Sequence, residues 1–184
     1  SACSSITVRS VLPVTGLTSC VPQAASSDTA SSNRRMGRML IAKLHPAGLA
    51  AAPADSVVHA LPGMIERRWG RILCVTGSAE PSTVNAAVAA KAGVHAWAKG
   101  LSREIGRHGI TINCLAPGRV HSEQIDKRLH PTPESQAEFS KNIPLGYFGD
   151  PGDVAFLAAF LCSPKARYVT GERIHVDGGM HRSV

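Results

Sequence analysis

The chain has 184 residues, 43% of them apolar, and a formal net charge of +7. That length suits one domain with a core of ordinary size. No stretch approaches the ~20 uninterrupted apolar residues of a membrane span, and the Lys and Arg are dispersed with only two Trp and two Tyr for base stacking, so neither a membrane nor a nucleic-acid partner is expected. Five cysteines (Cys3, Cys20, Cys74, Cys114 and Cys162) form no Cys-x-x-Cys pair and no metal-ligand spacing, so no metal is expected. The last three lie in apolar segments and read as buried, reduced thiols, which suits a cytoplasmic protein.

Residues 1–35 are rich in Ser and Thr and nearly free of acids, with scattered apolar residues. They read as a disordered or otherwise atypical N-terminal segment; a transit peptide has the same composition. Val8 to Val14 is one short strand candidate, and Arg38 to Leu44 is another. Residues 47–54, rich in Ala, Pro and Gly, read as a loop. Asp55 or Ser56 then caps a helix that carries Val57, Val58, Leu61, Met64 and Ile65, with Pro62 in its early turns. Arg71 to Thr76 is short, apolar and strand-like. Ala90, Val94, Trp97, Leu101 and Ile105 recur at three- and four-residue steps and predict a helix over 86–106. Gly109 tolerates positive φ and suits the end of that helix. Ile110 to Ala116 reads as a buried parallel strand stopped by Pro117-Gly118. A polar segment follows to Asn142. A helix begins at Asp150-Pro151, with Val154, Leu157, Ala158 and Leu161 on one stripe, and Arg173 to Val176 is a last short strand. Strands alternating with long helices predict an α/β fold with a parallel sheet.

The helix–strand–turn from Asn85 to Val120 resembles the core of the short-chain dehydrogenase/reductase family, the single-domain Rossmann oxidoreductases that use NAD(P). Further pieces match in order: Arg67-Arg-Trp-Gly70-Arg-Ile72, Ile143-Pro-Leu-Gly146, Gly149-Asp-Pro151, Tyr168-Val-Thr-Gly171 and Val176-Asp-Gly-Gly179. The resemblance is strongest over 55–184, in the style of the 3-oxoacyl-carrier-protein reductases. It implies a Rossmann-like parallel sheet with flanking helices over 36–184, incomplete relative to the full family fold. The family's phosphate loop, Thr-Gly-x-x-x-Gly-x-Gly, has only a partial counterpart in Val14 to Pro22, where Cys20 and Pro22 replace two glycines. A Cβ at Cys20 crowds the pyrophosphate and Pro22 removes a donor, so the match reads as chance.

The resemblance also implies site residues. In the family a tyrosine is the general acid/base, a lysine four residues later lowers its pKa and holds the nicotinamide ribose, and a serine on the preceding loop binds the reacting oxygen. Residues four apart share a helix face, and an ammonium favours a phenolate. Lys91 takes the lysine's place, but Ala87 stands where the tyrosine belongs. Losing a positioned acid/base removes about 10² to 10⁴ in rate. His95 shares the face of Ala87 but lies about 12 Å away along the axis, too far for an easy substitute. Asn85 reads as a helix cap. Gly77 aligns with the serine from the strand side, Ser78 is the nearest hydroxyl, and Thr76 is the alternative. Pro117, Gly118, Val120 and Ser122 match the turn that in the family contacts the nicotinamide carboxamide and pyrophosphate.

The expected activity is therefore hydride transfer between NAD or NADP and a carbonyl or alcohol, put in doubt by Ala87 and the absent glycines. Cofactor binding is expected to be weak or absent. The alternatives are a non-catalytic protein of the same fold, kept for assembly or binding, and an inactive fragment. The family's two-fold helix bundle and the Ala- and Gly-rich character of 86–106 predict a homodimer or homotetramer through that helix.

Overall fold

The computed structural model describes residues 39–43, 51–77, 80 and 86–182, with side chains from residue 56 onward. The readings placed on residues 1–35, on Val8 to Val14, on the partial phosphate loop, on Ser78 and on Asn85 lie outside the described residues.

Four strands, β1 (Met39–Lys43), β2 (Gly70–Val75), β3 (Ile110–Pro117) and β4 (Arg173–Val176), form one sheet in the order β1-β2-β3-β4. Every pairing is parallel: Ile41 registers with Leu73, Cys74 with Cys114, and Ala116 with His175. The connections carry α1 (Ala51–Glu66), α2 (Ala86–Ile105), α3 (Pro133–Ser140) and α4 (Pro151–Cys162). This is the expected α/β architecture, a Rossmann-like parallel sheet flanked by helices. All four expected strands in 36–184 are present, with ends displaced by a residue or two.

Side-chain alternation assigns the helices to faces. Ile72, Cys74, Ile112 and Cys114 point to one side, where Val57 and Met64 of α1 and Val94, Ala98 and Ile105 of α2 close over them. Leu73 and Leu115 point the other way and meet Leu161, Val154, Leu157 and Ala158 of α4. Both middle strands are covered on both faces, which is why they read as continuous apolar runs.

One boundary is corrected. α1 begins at Ala51 and not at Asp55 or Ser56, so residues 51–54 belong to the helix and not to a loop. Ala51, Ala52 and Ala54 are strong helix formers, and Pro53 falls in the first turn, where no N–H is required. The helix continues through Pro62. Cys74 and Cys114 are buried as expected, but Cys162, the last residue of α4, is only half-buried.

Two buried polar side chains tie the connections down. Asn113, 1% exposed, donates to Val169 O (2.9 Å) and accepts from Glu172 N (3.1 Å), which sets the approach to β4. Arg71, 3% exposed, donates to Gly70 O (2.8 Å), Gly109 O (3.2 Å) and Ser163 O (3.4 Å) and lies over the Trp69 ring. It binds the entry of β2, the turn before β3 and the carboxyl end of α4 together.

The polar segment after Val120 has a small core of its own. Ile125, Ile143 and Phe148 are buried together, and Phe139 packs between His130 and Phe148. Thr132 caps α3 by accepting from Ser135 N.

Gly109 closes the 3-10 turn Gly106–His108 that follows α2, at the left-handed φ of +73° expected of it, and a Cβ there would lie 2.5 Å from the Arg68 carbonyl oxygen. Gly109→Ala is therefore expected to destabilise the fold by about 1–3 kcal/mol. Urea unfolding checks this: the midpoint should fall while the slope stays constant.

Candidate active site at the carboxyl edge of the sheet

Parallel strands all end on the same edge, and in open α/β sheets ligands bind outside those carboxyl ends. Here the edge is made by Thr76 and Gly77 after β2, Pro117 to Ser122 at and after β3, and His175 to Gly179 at and after β4. The helix α2 brings Lys91 and His95 to it.

Lys91 reaches the loop after β2: its Nζ lies 2.9 Å from the point where a Cβ at Gly77 would stand. The lysine and the loop expected to carry the serine are thus adjacent. The ammonium occupies the space that a side chain at 77 would take. Ala87, one turn earlier on α2, presents a methyl group.

Thr76 is engaged rather than available. Its backbone N–H and its hydroxyl both donate to Leu115 O (2.8 and 3.0 Å). With that proton committed, the contact of 2.8 Å between Thr76 Oγ1 and His95 Nε2 is filled by an Nε2–H donor. His95 Nδ1 is then a buried acceptor without a partner. Burial, then the positive charges of Arg173, His175 and Lys91, push the His95 pKa down to about 4. The sequence placed His95 too far from Ala87 to replace a tyrosine. The structure gives it a different partner, Thr76, because both face the α2 side of the sheet.

The turn after β3 is held firmly. Gly118 N donates to Val176 O (2.9 Å), and a Cβ on Gly118 would lie 2.6 Å from Asp177 Cβ, so glycine is required by close approach. Val120 bridges to Gly149, with Gly149 N donating to Arg119 O and His121 N to Gly149 O (both 2.9 Å). Ser122 Oγ accepts from Ile125 N at 3.3 Å and so starts the π-helical turn Ile125–Leu129. His121 Nδ1 pairs with Asp126 Oδ1 at 2.8 Å. Pro117, Gly118, Val120 and Ser122 therefore stand on the same edge as Lys91.

Three groups at this edge carried no sequence signal strong enough to single them out. His175 on β4 stacks against His181 (ring centroids 3.8 Å apart), and His181 Nδ1 faces Glu80 Oε1 at 3.4 Å. Burial first, then His181 and Arg173, lower the His175 pKa. Asp177 accepts from Gly179 N and His181 N, both at 3.0 Å. Arg119 lies over the Phe139 ring at 4.5 Å, and burial lowers its pKa. Alternation along β4 would place His175 on the α2 side, but nothing in the sequence announces Arg119.

Residues 50–181 match the family model described as enoyl-(acyl carrier protein) reductase. The 3-oxoacyl-[acyl-carrier-protein] reductase FabG of Vibrio harveyi is 41% identical over 125 residues, covering 66% of this chain and 50% of that protein. Among solved structures, an oxidoreductase of the short-chain dehydrogenase/reductase family from Burkholderia thailandensis superposes with a TM-score of 0.71 at 32% identity, covering 82% of this chain and 67% of the other. YwfH, an NADPH-dependent reductase involved in bacilysin biosynthesis, superposes with a TM-score of 0.69 at 28% identity, covering 73% of this chain and 56% of that one. The chain belongs to the short-chain dehydrogenase/reductase family, a family of oxidoreductases. It spans about half the length of the curated relatives it matches. Among the described residues no helix is long and apolar enough to cross a membrane.

The depressed pKa of His95 has a consequence for stability. The unfolded chain takes up this proton near pH 6.5, while the folded chain holds it off until about pH 4. The unfolded state binds more protons between those values, so stability falls as pH drops from 6.5 towards 4. His95→Gln should flatten that dependence. Thermal midpoints at pH 7.5 and pH 5, measured for both proteins, are expected to differ more in the wild type than in the variant.

Proposed function

We propose that this chain is a reductase-type member of its family, in the style of the 3-oxoacyl-carrier-protein reductases, whose own carbonyl-reducing step is crippled. The family reaction is hydride transfer between NAD(P)(H) and a carbonyl or alcohol. The observation that carries the reading is the pair Ala87 and Lys91: the lysine reaches the loop after β2, and the residue one turn before it has no titratable group. The only tyrosines, Tyr147 and Tyr168, are 57% and 99% exposed and lie far along the chain from α2.

The nicotinamide end of a dinucleotide fits the residues present. Lys91 supplies a cation for ribose hydroxyls, and the Gly118 turn, held against Asp177, is a preformed backbone ledge. When bound, the dinucleotide supplies the hydride. Lys91 and Gly118 can bind and orient it, but no described residue at the Ala87 position can hold or move the proton that must accompany the hydride. The Gly-rich contacts to the pyrophosphate have no counterpart in the sequence beyond Thr15 and Gly16. Weak or absent binding of NAD or NADP follows, and the physiological substrate, a carbonyl or alcohol, would be reduced slowly if at all. Three free thiols, Cys74, Cys114 and Cys162, suit a reducing, cytoplasmic setting.

The retained role would then be assembly. The outward face of α2 carries Ala89, Ala92, Gly93, Ala96 and Gly100, all exposed, and a Cβ on Gly93 or Gly100 would meet nothing within 4 Å. A surface of small side chains lets a second helix approach closely. A homodimer or homotetramer through α2 is the arrangement this face supports.

Two experiments test these readings separately. Titration calorimetry with NADPH and NADH should show no binding at micromolar concentration, and Ala87→Tyr should not restore turnover of acyl or small ketones. Clear turnover by the wild-type chain would overturn the crippled-site reading; turnover by the variant alone would place the whole defect at residue 87. Light scattering should show a dimer or tetramer that Ala96→Glu dissociates, although glutamate costs an exposed helix little by propensity, a few tenths of a kcal/mol. A monodisperse wild-type monomer would end the assembly reading.

A further inference from the structure

A cavity of about 310 Å³ opens between the turn after β3, the loop 145–149, the first turn of α4 and the end of β4. Its lining includes Arg119, Val120, Leu145, Tyr147 and His175, and it excludes Lys91, Thr76 and Gly77. It lies at the same carboxyl edge, sharing Arg119, Val120 and His175 to Gly179 with it, but on the side away from Lys91 and the loop after β2. Its volume is at the small end of the range for ligand pockets.

Two of its lining residues carry a buried polar atom without a hydrogen-bond partner, Arg119 Nε and His175 Nε2. Buried polar groups are nearly always paired, so two orphans on residues that line one cavity call for an explanation. The carboxylates nearby do not supply it. Asp153 accepts from Asp150 N at 2.8 Å in the capping box of α4, and Asp177 accepts from the backbone N–H groups of Gly179 and His181. Arg119 makes no ion pair among the described residues. A guanidinium keeps its charge at neutral pH even when half-buried, and its planar fork matches a carboxylate. The rim is apolar: Leu145 is 62% exposed and Tyr147 57%.

We propose that this cavity binds a small organic carboxylate, its anionic head on Arg119, a polar contact to His175 and a short apolar tail against Leu145 and Tyr147. The ligand gives the guanidinium the anion that the protein withholds, and the cavity admits only a few heavy atoms beyond the head group. The cavity adjoins the Gly118 turn through Val120 and Asp177, while Lys91 and the loop after β2 lie outside its lining.

The test uses the full chain and three probes: butyrate, butanol and inorganic phosphate. Proton NMR follows the ring resonances of His175, assigned by their loss in His175→Gln. Butyrate should shift them saturably at millimolar concentration, butanol and phosphate should not, and Arg119→Gln should weaken butyrate about tenfold or more, the loss expected for a charged hydrogen bond. Arg119→Lys, which keeps the charge and most of the stem, should bind with intermediate affinity and serves if the glutamine variant does not fold. The proposal is overturned if butyrate leaves the His175 resonances unmoved, if butanol or phosphate shifts them as strongly as butyrate, or if both Arg119 variants bind butyrate like the wild type.

Discussion

The in-register parallel pairing of β2 with β3 is the constraint on which the rest depends. Gly70 to Val75 and Ile110 to Leu115 lie side by side, and their side chains are buried on both faces. A one-residue slip would turn Leu73 and Leu115 away from α4 and force Cys74 and Cys114 out from under α2. The register also decides where both strands stop. Because Val75 pairs with Leu115, Thr76 and Gly77 come alongside Ala116 and Pro117 at the end of β3, and α2 needs only to return across the sheet to bring Lys91 and His95 alongside. The positions of the site residues are thus consequences of strand pairing, and the chemistry of the site is a separate matter of which side chains occupy those positions.

That separation lets the fold persist independently of the chemistry at its edge. Ala87 lies in a helix whose formation depends on the stripe of Val94, Ala98 and Ile105, not on the residue at its first turn. Gly118 is held by the near contact with Asp177, whether or not a dinucleotide lies over it. Packing alone therefore holds the geometry of the edge, including the reach of Lys91, whatever residue stands at position 87.

Most of the fold was legible in the sequence because it rests on periodicity. The 3.6-residue stripe of α2 and the β-branched run before Pro117 are signals that burial itself writes into a sequence. The start of α1 was not legible, since Ala-Pro-Ala fits a loop by composition as well as a first helical turn. Of the candidate site, Lys91, Pro117, Gly118, Val120 and Ser122 were singled out through the family resemblance, and their places on helix and turn follow from the order of the elements. Thr76 and His95 were both in view, but their hydrogen bond was not, because it joins residues 19 apart whose meeting requires the crossover to be built. Arg119 and His175 were invisible for the same reason: nothing local to either records that they line one cavity. Ser78, the nearest hydroxyl to the expected serine position, lies outside the described residues.

Arg71 sits at the opposite end of the sheet from all of this. Its guanidinium has no role in the chemistry, yet it joins three chain segments that are far apart in sequence, one of them at Ser163, the residue just past the carboxyl end of α4. A cation at a helix carboxyl end is favoured by the helix dipole, and burial makes each of those hydrogen bonds costly to lose. The molecule is therefore polarised end to end, with a clasp at the amino edge of its strands and a workbench at the carboxyl edge. Variation can accumulate on the workbench while the clasp is kept, which is how a lineage can trade one ligand or reaction for another and still inherit an intact frame.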